Sequence, residues 1–144
     1  MILPKTVTVA PKTLTKANRE KLWTRQHGLC PWCGNPLRSA DVEHMAAHHR
    51  LLRSHGGTWN LSNIVGLHHN CHNVQPESVH QNPDHAYRMG FMIRQSTLTP
   101  LEIPVYVLRY GWKLADDAGG WKDCLNSEAH ELLFAAGVLR NVVA

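Results

Sequence analysis

The residues able to do chemistry in this chain are mostly histidines, and they are grouped. The sequence holds 11 His against 2 Phe and 3 Tyr. Eight of the eleven fall between positions 44 and 80: His44, His48, His49, His55, His68, His69, His72 and His80. Imidazole is the commonest metal ligand and titrates near neutrality. Three of the 4 Cys, namely Cys30, Cys33 and Cys71, lie in or just before the same window, and Cys124 stands apart. Cys30-Pro-Trp-Cys33 is a CxxC pair, which in a reducing compartment is a zinc half-site, a redox pair or coincidence. A second half-site at the same spacing, His68-His-Asn-Cys71, favours zinc. Two tight turns can then face each other across one tetrahedral ion, and three Cys with one His is an accepted ligand set. His69 and Cys124 are the substitutes for His68 as fourth ligand; the first breaks the matched spacing and the second lacks a nearby partner. Because binding free energy at such a site is folding free energy, the domain is expected to need zinc to fold.

Within the same window the order is His48-His49-Arg50, Gly56-Gly57, Asn63, then Cys71-His72. The stretch reads HHRLLRSHGGTWNLSNIVGLHHNCH, with His49 seven residues before Gly56, Asn63 six after Gly57 and His72 nine after Asn63. On these residues the sequence resembles the HNH nucleases. The zinc-bearing branch of that family adds one CxxC before the core and another just ahead of the last His; here the second pair is His68/Cys71. The segment Ser78–Phe91, SVHQNPDHAYRMGF, is similar to the extension of bacteriophage and actinobacterial members. The resemblance covers residues 28–95 and weakens towards 115.

What the resemblance implies is specific. The fold would be α+β: a small ββα-metal (His-Me finger) core with a structural zinc knuckle on Cys30, Cys33, His68 and Cys71, flanking helices and a C-terminal strand/helix extension. The activity would be metal-dependent, single-metal hydrolysis of DNA phosphodiesters, leaving a 5′-phosphate and a 3′-hydroxyl. His49 would be the general base, an imidazole being matched to neutral pH. His48 and His72 would hold one divalent ion as Lewis acid and template. Asn63 would fix the loop between the two strands and so orient the base. Some members carry a further His four residues after the last of the motif; that position is Pro76, so His80 is taken as the third ligand, with water as the alternative. The catalytic ion would be Mg²⁺ or another divalent ion such as Mn²⁺, Ni²⁺ or Zn²⁺. Arg50 and Arg53 follow the base on the segment expected to flank DNA, where phosphate contacts position a duplex without reading it. A second register, Glu43-His44 in place of His48-His49, needs a loop five residues longer before Gly56. His55 is expected on a solvated loop, and Trp32 and Trp59 to pack over the knuckle or core or to stack on bases. DNA is the expected partner, with a homodimer or phage packaging proteins as further ones. The competing functions are a non-catalytic zinc-containing DNA-binding module and a zinc-stabilised interaction protein.

These side chains need a scaffold, and 144 residues with 43% hydrophobic and 18% charged suit one domain with a packed core. A net charge of +4 and a pI near 9.0 permit a polyanionic partner without requiring one. No apolar run is long enough for a bilayer and no signal peptide is evident, so a cytoplasmic protein of a bacterium or phage-infected cell is expected. The expected organisation is an arm over 1–12, a nuclease domain with the knuckle over 13–95, and a C-terminal extension over 96–144 packed on it. A helix is predicted over Lys16–His27, capped by Thr13 or Thr15, with Leu22 and Trp23 inward. Strands are predicted over Leu61–Leu67, 91–94 and 104–114, a helix start at His68–Asn73, and a short helix through His85–Met89 stopped by Gly90. Asp116–Gly120 reads as a turn, and a last helix follows Ser127 with Leu132, Leu133, Ala136 and Leu139. On a strand, neighbouring residues point to opposite faces, which would separate His48 from His49.

Overall fold

The computed structural model describes residues 12–137. The expected arm, apart from Lys12, and Leu139 of the last helix lie outside them. The first helix, α1 (Lys16–Arg25), starts where the Thr15 hydroxyl accepts from the Asn18 N–H at 3.1 Å. That satisfies one of the unpaired amides of the first turn. The helix closes earlier than predicted because His27 and Gly28 turn to positive φ, 56° and 67°. Leu22 is fully buried, and the Trp23 indole donates to the Leu37 carbonyl at 2.7 Å. Gln26 is also fully buried. Its side-chain amide accepts from the Gly66 N–H and donates to the Gly66 carbonyl, both at 2.9 Å. The end of α1 thereby docks on the next sheet as a further strand would.

That sheet is an antiparallel pair, β1 (Ala46–His49) and β2 (Ile64–Leu67), with His48 opposite Val65 and His49 opposite Ile64. Along β1 burial alternates, Ala46 and His48 inside, Ala47 and His49 half-exposed. The β2 strand is buried throughout. It begins later than predicted, since Leu61–Asn63 form a turn in which the Asn63 N–H donates to the Asn60 carbonyl at 2.8 Å. Between the strands a 3-10 turn, Arg53–His55, runs into Gly56 at φ 93°. Gly57 is needed for a different reason: a Cβ there would lie 1.7 Å from the Leu51 carbonyl oxygen.

After β2 the chain makes a π-helical turn, Asn70–Val74, where a helix start is predicted. The strand-side segment then folds back: Val79 N–H donates to Cys71 O at 2.8 Å and His80 N–H to His72 O at 3.1 Å. The second helix, α2 (Pro83–Arg88), has Pro at its first position and ends before Gly90, which has φ 76°. Residues 91–94 are not a strand. Phe91, Met92 and Ile93 are buried in succession, and their amides go to Ala86 and Arg50 carbonyls instead of a ladder. The predicted strand over 104–114 is two strands, β3 (Val105–Val107) and β4 (Gly111–Ala115), split by a turn with Arg109 at φ 79°. A third, β5 (Trp121–Asp123), completes an antiparallel meander that the sequence reading did not anticipate. The Asp116–Gly120 turn is present, its Asp116 carboxylate accepting from the Ala118 and Gly120 amides. The last helix, α3 (Asn126–Ala135), follows.

The result is a small mixed α+β protein with two small sheets. One apolar cluster gathers α1, the β1/β2 pair, Phe91, Val105 and Val107; a second gathers Ile93, Ile103, Trp112, Cys124, Ala129 and Leu133. No helix among the described residues is long and apolar enough to cross a membrane.

Candidate metal centres

The CxxC turn is built by the Cys30 N–H donating to Asn35 O and the Gly34 N–H to Cys30 O, at 2.8 and 2.7 Å. It faces the end of β2 and the π-helical turn, so Cys30, Cys33, His68 and Cys71 converge with their ligand atoms within 4.8 Å of one another. A tetrahedral zinc–thiolate site has S–S edges of about 3.8 Å, so this group is of the right size to hold a metal ion such as zinc. His68 Nδ1 lies 3.4 Å from Cys33 Sγ and 3.8 Å from Cys71 Sγ. The other ring nitrogen, Nε2, donates to the Pro36 carbonyl at 2.9 Å, the kind of contact that fixes a ligating tautomer. Cys33's thiol is pushed up from its ordinary range, first by its hydrogen bond with the Cys30 thiol and then by burial. Neither substitute for His68 joins the group: His69 contacts the His44 carbonyl, and Cys124 is buried in the second apolar cluster.

A second group is assembled from three elements. His48 comes from β1, His72 from the π-helical turn and His80 from the segment folded back on it, and their ligand atoms also lie within 4.8 Å. His72 and His80 Nε2 atoms are 3.1 Å apart, and the His48 ring centroid is 5.2 Å from each of theirs. His48 is 1% exposed. Its Nε2 donates to the Phe91 carbonyl, and its Nδ1 is buried with no hydrogen-bond partner. A buried, unpartnered nitrogen is costly, and a cation held with His72 and His80 would satisfy it. Burial pushes His48 down to about 3, opposed by the Phe91 hydrogen bond and reinforced by His72, His80 and Arg50. Burial followed by His80, His69 and His49 takes His72 to about 4, and burial lowers His80. All three imidazoles are therefore neutral at neutral pH, the form that coordinates metal.

His49 points away from this group. Its ring packs edge-on against Trp59, centroids 4.2 Å apart, and the Arg53 guanidinium lies over that indole, 5.6 Å from the ring centroid. His49 Nε2 is buried and has no hydrogen-bond partner. Burial, then the charge of Arg53, lowers its pKa below the ordinary value. Asn63 is buried. Its side-chain oxygen accepts from Leu51 N–H at 2.8 Å, and its amide donates to Leu51 O and Thr58 O at 3.1 and 2.9 Å, tying both ends of the β1–β2 loop.

Arg50 is a correction. Expected on a DNA-facing surface, it is 0% exposed, with its guanidinium donating to backbone carbonyls on all sides. The alternation along β1 turns residue 50 inward, so no phosphate can reach it. Burial pushes it down to about 9, which leaves it protonated at neutral pH. Arg53 is exposed. The second register is not assembled: Glu43 pairs with Lys16 at 3.5 Å, and His44 lies before β1 begins. His55 is exposed, and Trp32 packs against Phe91 and donates to the Glu77 carbonyl. Sequence reasoning missed the Phe91 carbonyl, a backbone group with no residue signature, and Trp59's contact with His49, whose only signal was a tryptophan beside the glycine turn.

No family model, curated protein or solved structure matches the chain.

Proposed function

We propose that this protein is a metal-dependent DNA endonuclease of the HNH type, built on a ββα-metal core and stabilised by a structural zinc on Cys30, Cys33, His68 and Cys71. The observation that carries the reading is the split of one dipeptide. His48 enters a three-histidine group with a bare, buried Nδ1, while His49 stands on the opposite face as a neutral imidazole. A divalent ion on His48, His72 and His80 would supply Lewis-acid stabilisation of the charge that develops on the phosphate and the leaving oxygen. His49 accepts the proton of the attacking water. The new P–O bond forms as the bond to the 3′ oxygen breaks, and that oxygen takes a proton from solvent. Asn63, by holding Leu51 and Thr58, keeps the loop after His49 in place. Arg53, exposed and stacked on Trp59, is the cation able to meet a phosphate.

The test is plasmid cleavage with Mg²⁺, Mn²⁺ or Ni²⁺. Nicked or linear product with 5′-phosphate ends is expected, and His49→Ala is expected to lower the rate about 100-fold or more with unchanged melting. A His49→Ala protein as active as the wild type removes His49 from the base role. A non-catalytic DNA-binding module is the second reading, favoured by one observation: His49 Nε2 is buried without a partner, in a ring packed against Trp59. Under that reading the wild type shifts DNA in a binding assay and leaves it uncut with every metal.

A further inference from the structure

A fully enclosed guanidinium with no carboxylate partner is unusual, because burial of a charge is expensive unless every donor is met. Among the described residues Arg50 is in no ion pair. Its Nε donates to Gly90 O at 2.8 Å, Nη1 to Ser62 O and Pro100 O at 3.0 and 3.3 Å, and Nη2 to Ile103 O. Its own carbonyl accepts from the Ile93 N–H at 2.9 Å. Arg50 thus grips the Gly90–Ile93 segment from its side chain and its backbone. Gly90 is held at φ 76°, and a Cβ there would lie 1.9 Å from the Pro104 carbonyl oxygen, so the segment has no slack on its other side. The next carbonyl after Gly90 is that of Phe91, which accepts from His48 Nε2. That hydrogen bond decides which His48 nitrogen carries the proton and leaves Nδ1 buried and without a partner in a ring whose centroid is 5.2 Å from those of His72 and His80.

We infer that Arg50 is a positioning residue for the three-histidine metal site: it fixes the Gly90–Phe91 backbone, and through the Phe91 carbonyl it sets the tautomer and orientation of His48. The inference rests on the reading of that group as a metal site. Arg25 supplies an internal control. It is 7% exposed, in no ion pair among the described residues, and donates to Leu61 O at 2.8 Å and to Ile64 O. It therefore stitches the turn before β2 and leaves the 90–93 segment untouched.

The experiment titrates Co²⁺ into the full chain carrying zinc at the cysteine site. Visible absorption separates the histidine site from any cobalt entering the thiolates, which would show intense charge-transfer bands. Arg50→Lys keeps the charge and loses the fork; its Co²⁺ affinity at the histidine site is expected to fall about 10–100-fold, the cost typical of losing a group that orients a ligand. Arg25→Lys should lose stability and bind Co²⁺ as the wild type does. Equal affinity in Arg50→Lys, or an equal loss in Arg25→Lys, overturns the positioning role. A wild type with no Co²⁺ site outside the thiolates overturns the metal reading and this inference with it. Should Arg50→Lys fail to fold, wild-type exchange decides: by reciprocity, Zn²⁺ at the histidine site must slow exchange of the Arg50 Nε–H, with the Arg25 Nε–H as reference. No selective slowing overturns the inference.

Discussion

The two ligand groups share a dipeptide and differ in nearly everything else. Cys71 and His72 are neighbours in the same π-helical turn, yet one faces three cysteine-site partners and the other faces two histidines. The cysteine group offers four donors, enough to close a tetrahedral shell; the histidine group offers three, leaving room for a further ligand. Their protonation runs in opposite directions. Crowding with Cys30, then burial, pushes the Cys33 thiol up, so an arriving ion must displace protons. Burial pushes the imidazoles of His48 and His72 down to about 3 and about 4, so they await an ion already deprotonated. Donor number and donor acidity, set by a few ångströms of packing, separate a group able to close a tetrahedral shell from one that leaves a position for a further ligand.

That contrast can be broken most severely at the cysteine site. Cys71→Ser should abolish cooperative melting or lower the melting temperature by more than about 15 °C, because apparent structural-zinc binding is worth about 10 kcal/mol or more. Calorimetry checks this, and a shift of only a few degrees denies the zinc its structural role. His48→Ala should weaken Co²⁺ binding at the histidine site about 100-fold or more while zinc content stays at one per chain; loss of both metals together would merge the two centres into one. The pH response gives a third separation. Zinc affinity at the thiolates should rise with pH between about 6 and about 8, and affinity at the three histidines should rise less steeply over that range. In metal-free protein the same depressed imidazoles have a linked effect on stability. The unfolded chain binds protons near pH 6.5 and the folded one only near 4 or below, so stability present above about 6.5 is lost as pH falls towards about 4. Melts across that window, in chelator, read the sign. The smallest effect is expected at Arg53. Arg53→Ala should reduce the slope of DNA affinity against salt by about one unit and leave melting unchanged; an unchanged slope would remove it from the phosphate contacts.

The pairing of Cys30-Pro-Trp-Cys33 with His68-His-Asn-Cys71 was legible because a matched two-residue gap is a local property that survives any fold bringing the turns together. The helix at Thr15, the glycine turn at 56–57 and the alternation of His48 and His49 were legible for the same reason: capping, positive φ and strand period are written within a few residues. The breakdown came wherever a non-local partner decides. Residues 91–94 have strand composition, yet their amides are taken by Ala86 and Arg50, and the meander gained β5 from a tripeptide with almost no apolar signal. Arg50 shows the limit most plainly. By type and position it reads as a phosphate-binding surface residue, and four carbonyls from distant segments make it one of the most buried side chains in the molecule.

The sequence by itself determined the inventory of ligands and their order along the chain, because donor chemistry and short spacings are properties of residues and turns. Only the tertiary structure decided that His80 joins His48 and His72, that Phe91's carbonyl claims one nitrogen of His48, and that Arg50 turns inward. Each of those depends on where backbone carbonyls and burial fall, and neither is encoded at the position of the residue it governs.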